Sequence, residues 1–112
     1  MNARTQTLLW IAQRASAALL ALCVIVHLAT MIYAVRSGLS AGEILGRTRG
    51  NYGWFAFYAL FVMAVSVHAP IGLRTVVAET FGWRGTLLDL ATLALGVALA
   101  LAGMRAVLGV FA

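Results

Sequence analysis

Three long apolar segments alternate with short polar segments along the chain. Residues 15–35, 54–73 and 90–104 contain no charged side chain, and the arginines, carboxylates and most glycines lie between or beside them. A helix rises ~1.5 Å per residue, so about 20 residues cross the ~30 Å hydrocarbon core of a bilayer. The pattern therefore predicts an all-α fold in which three helices form a membrane bundle.

The predicted helices extend beyond the uncharged segments, because the aromatic and arginine side chains at their ends suit the membrane interface. They span residues about 7–35, 54–76 and 87–108 of one domain that covers residues 1–112. Between the first two, the glycine-rich loop of residues 36–53 has room for one or two helical turns over residues 41–47.

The composition argues against a soluble protein. Hydrophobic residues make up 63% of the chain and charged residues 10%, whereas soluble domains carry about 25% charged residues. A soluble bundle also needs polar outer faces, which these segments lack. The net charge of +5 comes from arginines at helix ends, where they suit lipid headgroups or partner subunits rather than nucleic acid. These arginines divide evenly between the two ends, so charge does not set the orientation.

Two histidines interrupt the apolar segments, His27 in the first and His68 in the second. An ionisable side chain inside a membrane helix is costly and indicates a functional site by default. His27 also continues a polar stripe through Gln13, Ser16 and Cys23, which should face protein or cofactor rather than lipid. A neutral imidazole can bind heme iron through one nitrogen while the other takes a hydrogen-bond partner. Two such residues favour bis-histidine heme ligation over hydrogen-bonded packing.

A single iron held by both histidines is disfavoured. Each histidine lies past the midpoint of its helix, and the two helices run antiparallel, so the imidazoles should be displaced by on the order of 10 Å. Two ligands of one iron need nitrogens only about 4 Å apart. Either each histidine serves a different heme with a second ligand from another chain, or only His68 is a ligand. Gly72, one turn after His68, would let a flat group approach, and Pro70 should bend the helix.

The other charged and small residues are first interpreted as structural. Asp89 lies in the first turn of the third helix, where the helix dipole favours an anion, with a proton relay as the alternative, and Thr86 is the expected N-cap. The basic cluster of residues 47–49 suits lipid headgroups, or else a heme propionate or a partner. Small residues in the third helix predict close helix packing; they are Ala94, Gly96, Ala98, Ala102 and Gly103.

Two motifs resemble those of a known family. Residues 68–74 read His-Ala-Pro-Ile-Gly-Leu-Arg, and Glu79 follows. This is similar to the His-x-x-x-Gly-aliphatic-Arg motif, with an Asp shortly after, of the cytochrome b membrane-anchor subunits of succinate dehydrogenase and fumarate reductase (succinate:quinone oxidoreductase). Residues 10–16 resemble the Ser-x-x-His-Arg-x-Ser pattern of that family's first helix, with Trp10 in place of the first Ser and Gln13 in place of the His.

The resemblance implies specific roles for residues and partners. His68 would be an axial heme ligand, His27 would ligate a second heme as in two-heme members, and Arg14, Ser16 and Arg74 would contact quinone or a heme propionate. It further implies one or two heme b groups shared with a second anchor chain, identical or homologous, of which this chain is half. A flavoprotein subunit would oxidise succinate in the tricarboxylic acid cycle, and an iron–sulfur subunit would relay its electrons to ubiquinone or menaquinone. We expect this respiratory-chain complex in a bacterial cytoplasmic membrane.

Two other functions stay open on the sequence, and a third is disfavoured. The chain could be a heme-free structural anchor, or a subunit of another quinone-linked diheme cytochrome b. A small multidrug-type or proton-coupled transporter would need a carboxylate near the bilayer centre. The acidic residues Glu43, Glu79 and Asp89 instead lie in loops or at helix ends.

Overall fold

The structure, a computed structural model, describes residues 2–112, and within that range every regular element is a helix. The elements are α1 (Ala3–Arg36), α2 (Ala41–Thr48), α3 (Tyr52–Phe81) and α4 (Thr86–Phe111). Of these, α1, α3 and α4 are long and apolar enough to cross a membrane. The predicted all-α class with three membrane-crossing helices is confirmed.

The central helix is α3, which packs against both α1 and α4. Along α1, Ser16 contacts His68 and His27 contacts Tyr58, so the two helices run in opposite directions. On the other side, α4 follows α3 through a short connection and also runs antiparallel to it. The sequence order α1, α3, α4 therefore matches the spatial order.

Glycines allow α4 to approach α3 closely. A methyl group on Gly103 would come within 2.5 Å of Val62 Cγ1, and one on Gly96 would come within 3.1 Å of both Pro70 Cγ and the carbonyl oxygen of Ser66. Pro70 has no N–H, so that carbonyl lacks its usual helical donor. Of the small residues predicted to pack in α4, the glycines lie at the contact with α3. The alanines of that set are exposed on the surface of the chain; they are Ala94, Ala98 and Ala102.

Local side-chain chemistry sets where the helices begin. Asn2 caps α1 by accepting from the Thr5 N–H, and Asn51 caps α3 by accepting from the Trp54 N–H. The expected cap of α4 was wrong: Thr86 is its first helical residue, and the preceding Gly85 occupies the cap position without a side-chain hydrogen bond. Gly85 has φ of 125°, which a residue with a Cβ rarely adopts.

The short helix α2 is tied to the end of α4. A capping box between Ser40 and Glu43 begins α2. At its other end the Thr48 hydroxyl donates to the carbonyl of Val110 at 2.7 Å, and the Gly50 N–H donates to the carbonyl of Phe111 at 2.9 Å. The loop that joins α1 to α3 therefore folds over the same end of the bundle as the α4 C-terminus.

Large apolar side chains cover the outer faces of the bundle. Leu22 and Ile25 on α1, and Leu93 and Leu101 on α4, are more than half exposed. A continuous apolar surface of this kind is unfavourable in water and suits lipid or a partner membrane helix.

Candidate functional site

The polar stripe predicted on α1 faces α3. Ser16 and Cys23 are the buried residues of α1, and the residues near either end of the stripe contact polar or small positions on α3. Gln13 lies against Gly72, and His27 lies against Tyr58. The interface between α1 and α3 thus holds both histidines, and the expectation that the stripe faces protein rather than lipid is confirmed.

His68 lies on α3 with its ring directed at α1. Its Nδ1 atom is 3.3 Å from Ser16 Oγ, and the Ser16 hydroxyl also donates to the carbonyl of Gln13 at 3.1 Å. The imidazole is half-buried. Among residues 2–112, the imidazole of His68 forms a hydrogen bond through Nδ1, and none through Nε2. Nε2 is therefore the nitrogen left available to a ligand.

Gln13 fills the space beside Gly72. Its Nε2 atom would lie 3.1 Å from a methyl group at Gly72, and its Oε1 atom is buried with no hydrogen-bond partner in the part of the chain that the structure describes. The amide of Gln13 from α1 occupies the space beside Gly72, where the sequence predicted room for a flat group. The orphaned oxygen is a buried acceptor close to the Ser16–His68 contact.

His27 occupies an aromatic environment nearer the α2 end of the bundle. Its Nδ1 atom lies 3.3 Å from the Tyr58 hydroxyl, and its ring makes edge contacts with Tyr58 and Phe61. The Thr30 hydroxyl donates to the backbone carbonyl of His27 at 2.7 Å. This imidazole, like the other, therefore has a hydroxyl at Nδ1.

Two adjoining cavities meet at His27. One of ≈ 520 Å³ opens between α1, α2 and α3 and has Arg47 and Asn51 in its lining. The other, of ≈ 630 Å³, lies beside α3 and α4 and is almost wholly apolar. His27, Tyr58 and Thr48 line both. Volumes of about 300–1,000 Å³ are typical of sites for small molecules and cofactors.

The two histidines lie at different depths along the bundle. Eleven residues of α1 separate Ser16, which contacts His68, from His27. At ~1.5 Å per residue this is a displacement of about 16 Å. Because two ligands of one iron need nitrogens about 4 Å apart, His27 and His68 of one chain do not reach the same iron in this arrangement.

The residues expected to contact quinone or a propionate each have a different partner within the chain. Arg14 is exposed and stacks on Trp10, with its Cζ atom 5.2 Å from the ring centroid. Ser16 is buried against α3. Arg74 pairs with Asp89 through an Nε–Oδ1 contact of 2.6 Å, which joins α3 to α4. Asp89 thus has an ion-pair partner that its position in the first turn of a helix did not reveal.

Tyr58 is the site residue that the sequence interpretation missed as a histidine partner. The contact between Ser16 and His68 fixes the register of the antiparallel helices α1 and α3. His27 lies eleven residues after Ser16 on α1, so the residue opposite it on α3 lies about eleven residues before His68, at position 57 or 58. The register of the two helices therefore predicts Tyr58 opposite His27. This prediction can be made only once one contact between the two helices is known.

Comparison with known families identifies the chain. Residues 1–108 match the succinate dehydrogenase/fumarate reductase transmembrane subunit family. The chain belongs to this family. No individual curated protein and no solved structure matches it. Succinate dehydrogenase/fumarate reductase transmembrane subunits are integral membrane proteins that anchor the catalytic subunits of their complex, and the three apolar helices agree with that role.

The side chains of this transmembrane subunit are compatible with a heme. Residues 2–112 contain no group of three or more His, Cys, Asp or Glu side chains placed to hold a metal ion, but a porphyrin-bound iron takes only axial ligands from the protein. His68 offers Nε2 while its Nδ1 has a hydroxyl partner, which is the usual arrangement of a metal-ligating histidine. His27 offers the same pair of features beside a cavity.

Proposed function

We propose that this chain is the heme b-binding membrane anchor of a succinate dehydrogenase or fumarate reductase. It attaches a flavoprotein subunit and an iron–sulfur subunit to the membrane and serves electron transfer between them and quinone. A second anchor chain, identical or homologous, completes the membrane domain. The proposed location is the bacterial cytoplasmic membrane.

The observation that carries this proposal is the contact between His68 and Ser16. This contact joins α1 to α3 in a chain that belongs to the transmembrane subunit family. It engages Nδ1 of the imidazole, and Nε2 has no hydrogen bond among the described residues. A packing histidine in an apolar segment would be expected to satisfy both ring nitrogens, because an unpaired polar group in hydrocarbon is costly. An imidazole with one nitrogen satisfied and one available suits an axial ligand.

Heme iron, when bound, supplies a one-electron carrier within the low-dielectric bundle. The residues of this chain would hold and shield it. His68 would hold the iron through Nε2, Ser16 would orient the ring, and the apolar side chains exposed on α1 and α3 would exclude water. The partner anchor chain would supply the second axial ligand, because the other histidine of this chain lies about 16 Å away along the bundle.

A second heme at His27 is the extended form of the proposal. Three features support it: the hydroxyl of Tyr58 at Nδ1, the adjoining cavities, and a cation at the cavity lining in Arg47. A carboxylate-bearing cofactor whose body lies in the apolar cavity could place its acidic groups toward that guanidinium. In the two-heme arrangement we expect His27→Ala and His68→Ala each to remove a different heme. Full heme content in the His27 variant would make His27 a packing residue.

For quinone, we propose a site at the end of the bundle that carries the α1 N-terminus. Arg14 is exposed there, and the Arg74–Asp89 pair lies at the same end. A cation near the membrane interface can donate a hydrogen bond to a quinone carbonyl, and Trp10 beside Arg14 adds an aromatic surface. Arg14→Ala should therefore weaken quinone reduction by the complex without changing its heme content.

Co-purification with heme analysis tests the proposal. The tagged chain is extracted in mild detergent, bound proteins are identified by mass spectrometry, and heme per anchor chain is measured as the pyridine hemochrome. We expect the flavoprotein and iron–sulfur subunits, a second anchor chain, and a reduced b-type band. A complete complex without that band would make the chain a heme-free structural anchor. A b-type cytochrome with other partners would indicate a different quinone-linked complex.

A further inference from the structure

We infer that Ser16 is a positioning residue that selects which ring nitrogen of His68 binds iron. This inference rests on the proposed heme function and adds to it a role for a residue that the family resemblance places at the quinone or a propionate. It follows from the direction of two hydrogen bonds at one hydroxyl group.

The Ser16 hydroxyl has a single proton and two acceptor lone pairs. A carbonyl oxygen can only accept, so the 3.1 Å contact with the carbonyl of Gln13 uses the hydroxyl proton. The oxygen is then an acceptor toward the imidazole at 3.3 Å. Both contacts can be hydrogen bonds at once only if Nδ1 of His68 carries the proton.

The neutral imidazole has one N–H, so the proton on Nδ1 leaves a lone pair on Nε2. That lone pair is what an iron requires. The opposite tautomer would satisfy only one of the two Ser16 contacts and would place a proton on Nε2, the nitrogen that would have to bind the iron. Ser16 is among the few buried polar residues of the described chain, at 7% exposure, so water does not readily replace either bond.

The hydroxyl that contacts His27 has no second acceptor comparable to the Gln13 carbonyl at Ser16 among the described residues. The Tyr58 hydroxyl is also 3.3 Å from an Nδ1 atom. Among residues 2–112 it has no second acceptor that would commit its proton. It can donate to His27 as readily as accept from it, so the tautomer of His27 is not set in the same way. The assignment is thus specific to the Ser16–His68 pair.

Three variants of the purified complex test the assignment. Ser16→Ala removes the hydroxyl with little change in volume, and Ser16→Thr retains it. Ser66→Ala is the matched control, because the Ser66 hydroxyl lies two residues from His68 but, among residues 2–112, bonds the carbonyl of Val62 in its own helix alone. The readouts are the midpoint potential of the heme, its low-spin ferric EPR spectrum, and heme transfer to excess apomyoglobin.

Loss of a hydrogen-bond partner typically weakens metal binding about 10–100-fold, and we expect heme retention in Ser16→Ala to fall within that range. The midpoint potential should rise, because an imidazole without its N–H acceptor donates less electron density and stabilises ferric iron less. Ser16→Thr and Ser66→Ala should resemble wild type. A wild-type potential and wild-type heme retention in Ser16→Ala would refute the inference alone. A wild-type complex without heme would refute the proposed function, and the inference with it.

Discussion

Adding one methyl group at Gly103 should separate α3 from α4. The new carbon would lie 2.5 Å from Cγ1 and 2.9 Å from Cγ2 of Val62, whereas favourable carbon–carbon contacts lie at about 3.5–4.0 Å. A helix displacement of about 1 Å would be needed, because the branched side chain of Val62 has one strongly preferred rotamer in a helix. Overpacking of this kind costs about 1–3 kcal/mol. The higher helix propensity of alanine, worth up to about 1 kcal/mol, offsets only part of that cost.

The control for Gly103→Ala is Gly109→Ala in the same helix, where an added methyl meets nothing within 4 Å. We expect Gly103→Ala to lower the free energy of unfolding by about 1–2 kcal/mol and Gly109→Ala to leave it unchanged or slightly higher. Unfolding in mixed SDS micelles, followed by circular dichroism, measures both. Val62→Ala combined with Gly103→Ala should recover most of the loss. Equal stability of the two single variants would show that Gly103 does not set the distance between the helices.

Two further predictions concern polar contacts at opposite ends of the bundle. Asp89→Arg should destabilise the bundle by up to about 1 kcal/mol, because it faces Arg74 with a like charge at a partly exposed site. The exchanged pair Arg74→Asp with Asp89→Arg should recover part of that stability in the same unfolding assay, because the helix dipole still disfavours a cation in the first turn of α4; stability no higher than that of Asp89→Arg alone would mean that the pair contributes nothing. Thr48→Val removes the hydrogen bond to Val110, worth about 0.5–1.5 kcal/mol. Amide hydrogen exchange in α2 should then be faster, and unchanged exchange would show that α2 is held by other contacts.

The membrane helices could be predicted because their signal is local. Uncharged segments of adequate length are sufficient to predict three crossings, and the structure adds extra turns at the ends of the predicted spans. For example, α3 ends at Phe81 rather than near residue 76. The exposed end of a helix depends on caps such as Gly82, whose φ of 66° ends α3. Such caps are separate from the hydrophobic pattern.

The partners of the candidate site residues could not be predicted, because they depend on helix register and rotation. The polar stripe of α1 identified the face that meets α3, but not that Gln13 would fill the space at Gly72 or that Tyr58 would reach His27. The pairing of Arg74 with Asp89 likewise requires the geometry of the α3–α4 turn. The polar pattern along a helix shows which of its faces meets another helix. Predicting the individual contacts between two such faces also requires one known residue pair across the interface.

The central claim, that His68 is present to hold heme iron, is tested most directly by the pyridine hemochrome of the purified complex with and without that imidazole. We predict a b-type band in the wild-type complex and the loss of one heme per anchor pair in His68→Ala, with the partner subunits still bound. Full heme content in His68→Ala, measured on a complex of unchanged subunit composition, would contradict the account.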